Sequence, residues 1–232
     1  MSDSATFRRN AAAVGLVSSA VLIALSRFLY QPSQGNQPAK LLAALHDAHG
    51  RALFSTVLFV LGALPFLIAI LGIGHLLRRR SIKLSNIGAG LAVTGAFCDA
   101  VASAFMIVYY QMALDTAHRD AYVLVVRQAS KVQGLFSLVG ALGTAVGLLL
   151  LSIGLFRTRT GSRWVPPLIW AFLALEFIGS SITPAIGLAS VTGSLIAFCG
   201  LAGTVRRSPR ALWETGEDDQ VTPKQPEQAV TV

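Results

Sequence analysis

Residues 52–77 read ALFSTVLFVLGALPFLIAILGIGHLL, and Arg78, Arg79 and Arg80 follow directly. The run contains no Asp, Glu, Lys or Arg. About 20 mostly apolar residues suffice for a helix to cross the roughly 30 Å of hydrocarbon in a bilayer. A basic cluster at one end of such a run marks the side that stays in the cytoplasm. The stretch therefore reads as a transmembrane helix whose C-terminal end faces inward.

Five further runs have the same character: 11–30, 87–110, 134–156, 164–182 and 184–205. Composition agrees. Of the 232 residues, 53% are hydrophobic and only 13% charged, against about a quarter charged in a typical soluble domain. The expected fold is all-α, a polytopic transmembrane bundle of about six spans over residues 11–205. The fifth and sixth runs are short and share a reversal near 181–187, so one re-entrant unit is an alternative to two full crossings.

Basic residues orient the array. With the N-terminus inside, the inner segments hold Arg8, Arg9, Arg78, Arg79, Arg80, Lys83, Arg157, Arg159, Arg163, Arg206, Arg207, Arg210 and Lys224, which is 13. The outer segments hold Lys40, Arg51, Arg119, Arg127 and Lys131, which is 5. This split predicts both termini in the cytoplasm. The net charge of +8 is thus a topology signal. It is spread between apolar runs, unlike the single basic face of a nucleic-acid-binding module.

Residues 1–10 are expected as a cytoplasmic N-terminus, 31–51 and 111–131 as outer loops, and 206–232 as a disordered cytoplasmic tail. Within the first loop, Pro38, the leucines Leu41, Leu42 and Leu45, and a closing Gly50 suggest a short amphipathic helix on the outer surface. Cys98 and Cys199 lie inside apolar runs and read as small packing residues.

Two carboxylates stand out. Asp99 and Glu176 each sit 12 residues into a span that runs outward, about 18 Å from its inner end at 1.5 Å per residue. A carboxylate there costs on the order of 3 kcal/mol to insert, so it faces the bundle interior. The small residues Gly88, Ala92, Gly95 and Ser103 share a face with Asp99. Glu176, Ser180 and Thr183 form a polar stripe, and Gly143 and Gly147 offer a close-packing pair. Arg27 is the natural counter-ion for either acid, with snorkelling to the headgroups as the alternative. Asp99, Glu176 and Arg27 are therefore the candidate binding or proton-relay residues. They could serve a solute or proton pathway, or fix the bundle by interhelical hydrogen bonds.

His46, His49 and His118 fall on the outer side and could supply three nitrogens to a metal-dependent hydrolase. No H-E-x-x-H supports that reading, and no nucleotide or serine-hydrolase motif is present. No cofactor is expected.

The segment Ala44-Leu45-His46-Asp47-Ala48-His49-Gly50-Arg51-Ala52-Leu53-Phe54 directly precedes the second run, and a basic turn at 78–83 follows it. With four further runs, this layout resembles a family of uncharacterised bacterial multi-span membrane proteins, over residues 11–205. The resemblance implies the bacterial cytoplasmic membrane; it implies no activity and no site residues. The expected function is a structural or accessory helix bundle, not an enzyme. The alternative is a small transporter or proton-coupled permease using Asp99 and Glu176. Expected partners are the lipid bilayer, with a second copy or a membrane protein beside it.

Overall fold

The structure is a computed structural model that describes residues 2–30, 37–78, 81–158, 163–179, 184–209 and 212–213. Its regular elements are all helical: α1 (Ser2–Leu29), α2 (Pro38–Asp47), α3 (Gly50–Leu77), α4 (Ile82–Leu114), α5 (Arg119–Thr158), α6 (Val165–Ala174) and α7 (Pro184–Arg207). A π-helical turn, Leu175–Gly179, continues α6. Among the described residues five stretches are long and apolar enough to cross a membrane: Ser4–Leu29, Gly50–Leu77, Ile82–Leu114, Arg119–Thr158 and Ala189–Arg207. In hydrocarbon every backbone N–H needs an internal partner, and uninterrupted helices supply it.

The helices α1, α3, α4, α5, α6 and α7 form a closed ring in which each packs on the next and α7 returns to α1. The short α2 covers one end, against α4 and α5. At that end Ser55 Oγ donates to the Ser26 carbonyl at 2.8 Å. Arg51 reaches the Leu29 carbonyl, and His46 the Ala113 carbonyl. At the opposite end Ser85 Oγ donates to the Gly74 carbonyl, and Arg9 to the Ser208 carbonyl. The ends carrying Arg9, Arg78, Arg157 and Arg206 thus lie together.

The distribution of side chains is that of a bundle in lipid. Along α1 the outward residues are Val14, Val17, Val21, Leu25 and Phe28, the last 56% exposed. Its inward residues are Ala12, Leu16, Ser19 and Ala20. On α5 the large residues Leu135, Leu138, Leu142 and Val146 face out. Small residues let backbones approach where no hydrophobic drive separates helix from lipid. The seam between α4 and α5 is the closest. A Cβ added to Gly147 would lie 2.5 Å from the Ala92 amide and 2.7 Å from the Gly88 carbonyl oxygen. The expected small-residue face of α4 is therefore a real contact surface, and it meets Gly140, Gly143 and Gly147.

Among the described residues five stretches reach spanning length, and the run at 164–182 yields a shorter apolar helix, Val165–Phe177, with the π turn ending at Gly179. The reversal expected at 181–187 falls partly outside the described residues. Three expectations are corrected. The loop expected at 111–131 is only 115–118, because α4 runs to Leu114 and α5 starts at Arg119. Beyond their apolar cores these helices are stabilised by a satellite cluster of Leu42, Leu45, Tyr109, Tyr110 and Val126. Gly50 does not close α2 but opens α3; the turn falls at His49, with φ 49° and ψ −145°. That backbone region suits glycine and strains a residue bearing Cβ. His49→Gly is expected to stabilise the purified protein by about 1 kcal/mol, read as a raised melting temperature in detergent.

The tail is the third correction. α7 extends to Arg207, and Trp213 is buried, 1% exposed. Its indole N–H donates to Ser208 Oγ at 2.7 Å, and its ring packs 6.0 Å from that of His75. Residues 214–232 lie outside the described part of the chain.

Candidate functional site

Asp99, Arg27 and Glu176 line one cavity of about 240 Å³ inside the ring, to which all six ring helices contribute. Each charged group is delivered by a different local device. Arg27 comes from the last turn of α1. Asp99 lies mid-way along α4 over Gly140, where an added Cβ would overlap its carboxylate. Gly140 is thus the reason a carboxylate fits between two helices in close contact. Glu176 sits in the π turn after α6. The extra residue in such a turn breaks the regular side-chain progression and re-aims what it carries, and π turns recur at functional sites.

Arg27 Nη2 donates to Glu176 Oε1 at 3.4 Å, and Ser190 Oγ of α7 donates to Glu176 Oε2 at 2.5 Å. Of the two sequence readings of Arg27, the counter-ion is the one observed. Asp99 accepts a longer bond, 3.4 Å, from Thr144 Oγ1 on α5. With all three groups ionised, the ring holds one cation and two anions. Arg27 and Glu176 offset each other, which leaves Asp99 as the surplus charge.

A second cavity, about 250 Å³, adjoins the first on the side of α2 and shares Arg27, Phe59 and Asp99 with it. Its wall is rich in hydroxyls: Ser26, Ser55, Thr56, Ser103 and Ser137, with Gln133 and Tyr30. Asp99 and Arg27 therefore stand where a polar vestibule meets a more apolar chamber. No family model, curated protein or solved structure matches this chain.

Among the described residues Glu176 is held by Ser190 from the next helix as well as by Arg27; the Ser180 and Thr183 of the expected stripe lie outside the described residues. Ser190 and Thr144 were not legible as partners, because single hydroxyls are common in apolar helices and nothing local links them to a distant acid.

The three histidines are not gathered. His46 Nδ1–H donates to the Ala113 carbonyl, His49 Nδ1–H to the Asp47 carbonyl, and His118 meets Asp115 Oδ2 at 3.0 Å. Among the described residues no group of three His, Cys, Asp or Glu side chains could hold a metal. The Asp115 carboxyl accepts from the His118 ring first, then from the Tyr122 hydroxyl and the Ala117 amide. These bonds hold its pKa below the ordinary carboxylate range. A carboxyl depressed in the folded state stabilises it above the unfolded value and loses that contribution as pH falls through the folded one. Melting temperatures measured downward from neutral pH should fall more for the native protein than for Asp115→Asn below about pH 4. The effect should be small, since the carboxyl is exposed.

Proposed function

We propose that this chain is a proton-coupled permease of the bacterial cytoplasmic membrane, with six crossings and both termini in the cytoplasm. Asp99 is the group that takes and releases the coupling proton. The Arg27–Glu176 pair is the internal tie that must open for solute to pass.

The observation that carries this reading is the meeting of two cavities at Asp99 and Arg27. A purely structural bundle would need its acids hydrogen-bonded and its interior closed, because a void forfeits packing. Glu176 is tied by Arg27 and Ser190, whereas Asp99 stands on both cavities. The space beside Asp99 holds many times the volume of one water, and one hydroxyl is its side-chain partner. The basic residues at one end of the ring support the orientation, and the α6–π-turn unit supports a sixth, interrupted crossing. Helices broken at mid-membrane are tolerated where they line a cavity, as this one does.

The test is proton flux in liposomes carrying a pH-sensitive dye in the lumen. Wild-type protein should dissipate an imposed pH gradient on addition of solute. Asp99→Asn should lower that flux by at least about a hundredfold, the scale of losing a proton-transfer group, while eluting as a folded species. If Asp99→Asn and Glu176→Gln both fail to fold, the acids are structural and the permease reading is lost.

A further inference from the structure

The walls of the inner cavity point to the chemistry of its ligand. Five phenylalanines line it: Phe59, Phe66, Phe172, Phe177 and Phe198. Phe198 is the hub of three of them, edge-to-face with Phe66 at 6.1 Å and with Phe172 at 6.0 Å. Among charged groups on the same wall, Glu176 occupies Arg27 at 3.4 Å, and Asp99 remains as the surplus anion. An aromatic wall with one carboxylate favours a cation whose charge is weakly hydrated, since ring quadrupoles attract it and the acid balances it.

We infer that the inner cavity binds a small organic monocation, an aromatic or alkyl ammonium, with its charged nitrogen at Asp99 and its apolar body among the phenylalanines. The assignment of a substrate class rests on the permease reading above. Three arguments narrow the choice. A hard inorganic cation wants six or more oxygens; beside Asp99 the wall offers the Glu176 carboxylate, held by Arg27, and the hydroxyls of Thr144, Ser190 and Ser194, each already engaged in a hydrogen bond. An anionic solute would have to displace Glu176 from Arg27 and then lie beside Asp99, with two repulsions to meet. A drug-sized molecule needs a site of about 300–1,000 Å³, whereas this chamber is about 240 Å³. A single ring with a short ammonium arm matches the space. The proton and the cation would then compete for one carboxylate, which couples their movements in opposite directions. Among the described residues the charged groups that share this space with Asp99 are Arg27 of α1 and Glu176 of the π turn; α3, α5 and α7 line it with no titratable group.

The probe is benzyltrimethylammonium, a permanent cation with one ring, titrated calorimetrically into the full chain in detergent. Its uncharged carbon counterpart, neopentylbenzene, and benzoate serve as comparisons. Wild-type protein should bind the cation and discriminate against benzoate. Asp99→Asn should weaken the cation at least about tenfold and leave neopentylbenzene unchanged. Phe59→Leu, which keeps an apolar side chain and the acid but removes the ring, should weaken the cation about threefold and serves if Asp99→Asn fails to fold. Tighter binding of benzoate than of the cation, or a cation affinity indifferent to both substitutions, overturns the substrate class. If Asp99-dependent proton flux is nevertheless present in liposomes, the permease stands and only its substrate is wrong. If neither flux nor cation binding occurs, both fall.

Discussion

Gly147→Val is expected to leave little folded protein in the membrane. Overpacking a well-filled core usually costs about 1–3 kcal/mol, because side chains can shift. Here the obstacle is backbone. A Cβ at Gly147 meets the Ala92 amide nitrogen at 2.5 Å and the Gly88 carbonyl oxygen at 2.7 Å, so α4 and α5 must move apart as whole helices. Separating them also undoes the fit of Asp99 over Gly140 and of Gly95 against Gly143 and Thr144. Gly147→Ala should act in the same direction with a smaller effect. Gly90, on the same helix as Gly88, has open space where its Cβ would go. Gly90→Ala should therefore be neutral or raise stability by up to about 1 kcal/mol, as removal of a helical glycine does. Detergent melting curves of the three variants would show it. Equal effects at Gly147 and Gly90 would mean that the α4–α5 seam is not closely packed.

Trp213→Ala is expected to destabilise the bundle by about 3–5 kcal/mol, the usual cost of truncating a fully buried large aromatic. The indole fills a pocket at the basic end of the ring, with its ring edge 3.8 Å from where a Cβ on Gly72 would lie. It belongs to the same buried cluster as Leu76, Leu77 and Val205. Trp213→Phe keeps most of the buried ring but loses the donor to Ser208, so it should cost only about 1 kcal/mol. Deleting the chain after residue 209 should reproduce the alanine variant. Wild-type melting in Trp213→Ala would show that this segment does not hold the ends of α1, α3 and α7 together.

Much of the architecture was legible in the residues because the bilayer imposes a one-dimensional rule. Length and apolarity decide where a helix can cross, and the arginines between runs mark one side. That is why residues 52–77 could be read as one long apolar helix, found as Gly50–Leu77, with nothing else known. The same rule fails where helices outlive the hydrocarbon. α4 and α5 continue through 111–114 and 119–131 because Tyr109, Tyr110 and Val126 find α2 to pack on, a contact between segments far apart in the chain. It fails again at Leu175–Gly179, where a π turn shortens the helix after Ala174 in a way no local composition announces.

The site divides along the same line. The cost of a carboxylate in lipid singled out Asp99 and Glu176, and their scarcity made Arg27 the natural partner. Which acid Arg27 joins was settled by tertiary structure, as were the hydroxyls of Ser190 and Thr144 and the phenylalanine wall. Trp213 was misread for the opposite reason. It lies in a polar, proline-bearing tail, and composition averages over a single aromatic that a groove can bury.

By itself, then, the order of apolar runs, charges and glycines determined that the chain is helical, apolar outside, and costly charges within. Closure of the ring decided the rest: which charges meet, how much space stands beside them, and what lines it. Transfer from water to lipid is a property of each residue in turn, whereas a cavity exists only between helices and belongs to no one of them.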